Sequence, residues 1–244
     1  MLRLILPYIV QVLLIIHVFK TGRNYLWVWV LLLMPFGLGA LAYLSVEVLP
    51  DVFRSRTAQR TRRGLRRAID PGADLRRYQD EVSVAGNTAS RQRYAEELVR
   101  HQRYDEAIDQ YRAALTGLYQ HDPNLMMGLA QALFDKGDAR AARQTLDELI
   151  KENPTFRSPA GHLLYARALA AEGDIAKALE EYRVLAPSYP GAEAAVRYAQ
   201  LLEAQGQQAE AKRVARELLE QARIAPRHYR RAQREWLEAA KRLQ

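Results

Sequence analysis

Apolar residues are arranged in two different ways along the chain. Leu4 to Phe19 and Leu26 to Val46 hold no charged residue and no polar stripe, so any helix built from them is apolar on every face. From residue 71 onward apolar positions recur three and four apart between charged ones, the pattern of amphipathic helices. Asp70-Pro71 is a helix-start signal. Leu75, Tyr78 and Val82 then continue at helical spacing as far as Gly86-Asn87, which predicts a helix over 71–85. No segment alternates with period two, and the chain reads as all-α.

The first regime predicts a transmembrane helical hairpin over residues 1–50. The second stretch, 26–46, is 21 residues long, close to the roughly 20 that span ~30 Å of hydrocarbon. The first is shorter and is extended by the stems of Arg3 and Lys20. The polar turn Lys20-Thr21-Gly22-Arg23-Asn24 between them forces the helices antiparallel, and Tyr25, Trp27 and Trp29 suit an interfacial aromatic belt. The first stretch reads as a span and not as a cleaved signal, because it runs into Lys20-Thr21-Gly22-Arg23 with no small-residue cleavage site.

Arg54, Arg56, Arg60, Arg62, Arg63, Arg66 and Arg67 follow within about 20 residues of the second span. Basic residues stay on the cytoplasmic side, so both termini are expected in the cytoplasm. The cluster has two readings, a topology signal or a contact with anionic lipid. The segment 51–86 that contains it is an Arg-rich juxtamembrane linker and lead-in helix.

Residues 4–50 resemble the two-helix segment at the N-terminus of bacterial phospholipase D/cardiolipin-synthase-type proteins, through Trp27, Trp29, Pro35, Gly37, Gly39 and Tyr43-Leu44. That family's catalytic motif is H-x-K-x-x-x-x-D. None of His17, His101, His121, His162 and His228 has Lys two residues later. The resemblance implies an anchor in a bacterial inner membrane, not phospholipid chemistry.

Residues 87–226 repeat. Ala107, Ala142, Ala178 and Ala211 recur at 35, 36 and 33 residues. Each is preceded by a helix carrying Tyr or Leu, then Ala, then Leu three residues on: Tyr94-Ala95-Leu98, Leu129-Ala130-Leu133, Tyr165-Ala166-Leu169 and Tyr198-Ala199-Leu202. Gly137, Gly173 and Gly206 stand at the turn, and Gln102 takes that place in the first unit. This four-fold pattern resembles the tetratricopeptide repeat. The resemblance implies an α-solenoid of about four helix-turn-helix units, with the small residues where paired helices cross. The second helix of the first unit is expected to run about a turn longer, to His121-Asp122-Pro123. Residues 227–244 are expected to form one capping helix, with Tyr229, Ala232, Trp236, Ala239-Ala240 and Leu243 facing the last repeat.

Composition narrows the function. The chain has 36 Lys+Arg against 28 Asp+Glu, a net charge of +8. Residues 1–86 carry +6 and residues 227–244 carry +4, which leaves 87–226 at −2. The basic excess therefore lies outside the repeats. No aromatic residue interleaves the Arg run after Phe53, which argues against nucleic acid. The absence of Cys excludes disulfides, thiolate metal sites, a thiol nucleophile and lipoprotein anchoring. There is no H-x-x-x-H pair, no G-x-S-x-G and no phosphate-binding glycine loop, so no enzyme, metal or cofactor is expected.

Tetratricopeptide solenoids bind partners on the concave face lined by their first helices. By that family's spacing the resemblance places Gln92, Glu96 and Val99, then Met127, Gln131 and Phe134, then Leu163 and Arg167, then Val196, Gln200 and Glu203 on this face. Met, Phe, Leu and amides there suit an extended or helical peptide. The expected function is a membrane-anchored scaffold that binds partner proteins at the cytoplasmic face. The alternative is an accessory factor in phospholipid metabolism.

Overall fold

A computed structural model describes residues 12–20, 24–33, 42, 43, 46, 70 and 72–244. The chain divides into two compact units, Met1–Ala73 and Asp74–Gln244. The Arg cluster 54–67 and about half of the two predicted spans lie outside the described residues.

In the first unit, residues 12–20 form helix α1 and Leu26–Leu33 form α2. Val18, Leu31 and Tyr43 make a small core, with Leu14, Ile15, Trp27 and Val28 against it. The Tyr43 ring meets Trp27 edge-on at 5.3 Å, and its hydroxyl lies 3.0 Å from His17 Nδ1. His17 is thus tied into helix packing. Among the described residues no helix is long and apolar enough to cross a membrane.

The second unit begins with α3 (Ala73–Ala85), the predicted lead-in helix. Its Leu75, Tyr78 and Val82 pack on the first repeat and cover that end of the array. Four helix pairs follow: α4 (Thr88–Arg100) with α5 (Tyr104–Ala114), α6 (Pro123–Lys136) with α7 (Ala139–Glu152), α8 (Pro159–Glu172) with α9 (Ile175–Leu185), and α10 (Glu193–Ala204) with α11 (Gln208–Ile224). Each helix packs on the next in chain order. The eight crossing alanines expected from the repeat pattern are all at most 2% exposed. A single methyl there lets two helix backbones approach closely, while Leu and Tyr fill the space to either side.

The helix-to-helix turns in the second and third pairs are two-residue devices. Gly137 and Gly173 end the first helices at φ +100° and +88°, a left-handed conformation that glycine adopts without a Cβ penalty. Asp138 and Asp174 then cap the second helices, accepting from Ala141 N at 3.0 Å and Lys177 N at 3.4 Å. The first pair makes the same turn with Gln102 at φ +59°, the one non-glycine residue at positive φ among the described residues.

Two details differ from the sequence reading. The second helix of the first repeat stops at Ala114, and the extra residues fold as a loop with a 3-10 turn over Gly117–Tyr119. Gly117 turns the chain at φ +57°, and Leu118 and Tyr119 are exposed in this loop. The C-terminal segment is two helices, α12 (Arg227–Ala232) and α13 (Arg234–Lys241), hinged at Gln233. Ala232 is exposed, and the buried stripe is Leu237, Ala240 and Leu243 with Trp236 partly covered. The break lets Gln233 Oε1 accept from Ala192 N at 3.0 Å, which satisfies the start of α10 where no local side chain does. Gly128 and Gly161 lie within α6 and α8, where neighbouring side chains press against them.

Candidate functional site

The face built from the first helices α4, α6, α8 and α10 is where the sequence placed a partner. Hydrogen bonds along each helix fix its polar members. Gln92 Nε2 donates to Glu96 Oε1 at 3.1 Å, and Gln131 Nε2 donates to Asp135 Oδ1 at 2.8 Å. These i,i+4 bonds hold the amides in one rotamer and leave their carbonyl oxygens free to accept.

The structure brings together the middle of the row. Met127 and Phe134 of α6 are partly buried against the Ala130–Leu146–Leu164 core, and the Arg167 guanidinium of α8 lies 4.5 Å over the Phe134 ring. Arg167 forms no ion pair among the described residues, and its Nε is buried without a hydrogen-bond partner. The stacking holds the guanidinium flat, so its remaining N–H donors are available to an incoming acceptor. The cation also lies near two tyrosines. Burial pushes Tyr182 up to about 12, against the opposing pull of Arg197 and then Arg167. Burial likewise raises Tyr189.

Leu163 and Val196 do not belong to this surface. They are 4% and 1% exposed and sit in the core that joins the last two repeats to α13. Neighbouring helices cover the positions that the repeat spacing placed on the face. Gln200 and Glu203 are exposed, and Val99 is partly buried. On α10 a neighbouring stripe takes over. Arg197 Nε bonds Glu193 Oε1 at 2.7 Å, and its guanidinium lies 5.1 Å over the Trp236 ring of α13. Spacing alone did not find Arg197; its i,i+4 relation to Glu193 was the available signal.

A second feature lies between the second and third repeats. A cavity of about 590 Å³ is walled by α7, the start of α8 and the end of α9. His162 Nε2 and Glu181 Oε2 meet across it at 2.6 Å. Above it, Arg143 of α7 bonds Glu172 of α8 at 2.8 Å and Asp147 at 2.5 Å, clamping the two repeats. No group of three or more His, Asp or Glu among the described residues could hold a metal ion.

Residues 98–167 match the family model for the tetratricopeptide repeat. Solved structures share the fold. A crystal structure of MamA is 18% identical, covering 61% of this chain and 86% of that one, with a TM-score of 0.53. A thermophilic TPR protein from Thermus thermophilus is 18% identical over 68% of this chain and 88% of that one, at 0.52. YrrB, described as a TPR protein with an unusual peptide-binding site, is 18% identical over 73% of this chain and 88% of that one, at 0.52.

The fold is a tetratricopeptide-like solenoid. No curated protein matches the sequence. At these identities the likeness establishes the fold, and the chemistry of the face rests on the residues above. The tetratricopeptide match spans the first repeat's turn through Arg167, so it contains both members of the Phe134–Arg167 stack.

Proposed function

We propose that this protein is a membrane-tethered, non-catalytic adaptor that holds a partner polypeptide on the first-helix face of its tetratricopeptide solenoid. The observation that carries the reading is the Met127–Phe134–Arg167 surface. It offers an apolar floor beside a stacked guanidinium that has no acidic partner among the described residues. Such a surface suits a peptide with an apolar side chain next to a carboxylate, because Arg binds carboxylate through two parallel N–H bonds. A peptide-binding site in YrrB, a protein of the same fold, is consistent with this use.

Tethering is supported by the first unit. Leu13, Ile16, Phe19, Trp29, Leu32 and Leu33 are each more than half exposed on α1 and α2. Apolar exposure of this density needs a cover, and a bilayer provides it. With the Arg cluster after the second apolar stretch, the solenoid would face the cytoplasm.

Two experiments test the parts separately. Affinity capture from membranes with wild type and with Phe134→Arg/Met127→Glu should differ in retained partners, and identical partners would refute the face. Alkaline phosphatase fused after Gln244 should be inactive, and periplasmic activity would refute the orientation.

A further inference from the structure

His162 lines the cavity between the second and third repeats. In the repeat's pattern W-x2-L-G-x2-Y, the positions of the Trp are here occupied by Arg91, Met126, His162 and Ala195. In the third repeat His162, Tyr165, Ala166 and Leu169 stand in the four pattern places. In this repeat an imidazole stands where the pattern has an indole, and His162 lines the cavity beside the groove between α7 and α9. At this junction Ala130, Leu146 and Leu164 are buried together as a small cluster of their own. The volume of about 590 Å³ lies within the roughly 300–1,000 Å³ typical of ligand sites.

The walls are Leu146, Leu149, Leu185, Phe156 and Pro159, and exposed Ile150 extends them outward as an apolar lip. Asp147 and Glu181 stand at the rim. Arg143 pairs with Asp147, and Arg157 is turned onto the carbonyl oxygens of Pro154 and Phe156 at 2.7 and 3.2 Å, which leaves Glu181 as the carboxylate facing the mouth. Glu181 gives one oxygen to His162, and its other oxygen has no hydrogen-bond partner among the described residues. An apolar slot, with a carboxylate oxygen free at its mouth, fits an aromatic group that carries a cation.

We infer that this pocket is a second binding site, which takes a large aromatic side chain of a partner polypeptide flanked by a basic residue. It is separate from the first-helix face, sharing only Met127 with it. The lip at Ile150 continues the apolar surface beyond the cavity, as a chain leaving the pocket requires.

The test titrates the full chain with blocked tripeptides Lys-Trp-Lys, Glu-Trp-Glu and Lys-Ala-Lys and with tryptamine, read by NMR shifts at His162 and Ile150. Lys-Trp-Lys should bind, Glu-Trp-Glu roughly three- to fivefold more weakly through loss of one screened charge contact, and Lys-Ala-Lys not at all. His162→Trp, which fills the slot, should abolish peptide binding and raise the melting temperature; His162→Phe should weaken binding if the larger ring does not fold. Glu181→Gln should remove the preference for Lys over Glu. Equal binding of Lys-Ala-Lys, or undiminished Lys-Trp-Lys binding by both His162 variants, would overturn the site. Binding of tryptamine with no tripeptide bound would overturn the polypeptide occupant.

Discussion

Adding one methyl group at Gly128 tests the packing account most directly. A Cβ built there lies 2.5 Å from Cε1 and Cζ of Tyr111 and 2.6 Å from its hydroxyl oxygen. Carbon atoms in good contact are about 3.5–4.0 Å apart, so the overlap exceeds 1 Å. Tyr111 cannot swing away, because it is 3% exposed within the core of the first repeat. Overpacking costs about 1–3 kcal/mol, and overlap with three atoms of a buried ring puts this site at the upper end, about 2–3 kcal/mol. Against that, Ala gains about 0.8–1 kcal/mol over Gly in a helix interior. Gly128→Ala should therefore lose about 1–2 kcal/mol, a fall of roughly 2–8 °C in melting temperature for a unit of this size. Gly161→Ala is the control. Its Cβ meets the Met127 sulfur at 2.8 Å, the far part of an adaptable side chain, so helix propensity offsets the clash. Urea melts of the full chain by circular dichroism measure both. The double variant Gly128→Ala/Tyr111→Leu should recover part of the loss in a double-mutant cycle. A Gly128→Ala chain as stable as the parent would refute the claim that glycine is required by helix contact there.

Other outcomes follow from the turns and the titrating groups. Gln102→Gly should stabilise the chain by about 0.5–1 kcal/mol in urea melts, because a non-glycine residue in the left-handed region costs about 1–2 kcal/mol and Gly adds unfolded-state entropy. Gln207→Asp should add about 1 kcal/mol by supplying the cap that α11 lacks, and Asp174→Ala should remove a similar amount, both read from chemical denaturation. Hydrogen bonds from Lys177, Arg213 and Lys241 hold the Asp174, Glu210 and Glu238 carboxylates below their usual range. A carboxylate depressed by folding stabilises above its unfolded pKa, so thermal stability should fall as pH drops below about 4. Burial pushes Tyr165 and Tyr182 up to about 12 from their ordinary 10.0. Protonated in the folded state and ionised in the unfolded one across that window, they make stability fall from pH 10 towards pH 12. Phenolate absorbance should appear together with loss of helix.

The sequence by itself determined the repeat. Small residues at fixed spacing can be read as helix crossings because close approach admits nothing larger, and all eight predicted alanines are buried. Turn glycines were legible for the same reason, since a left-handed backbone selects them locally. Helix ends were less so. The C-terminal break depends on whether Gln233 finds a partner on another element, which spacing does not encode. The candidate face was half legible. The tetratricopeptide resemblance put Met127, Phe134 and Arg167 on one face, but only tertiary packing decided that Leu163 and Val196 are covered and that Arg167 lies on Phe134. The pocket beside His162 could not be read as a motif at all. Its walls come from α7, α8 and α9 at once, and only the packing of those helices brings them side by side.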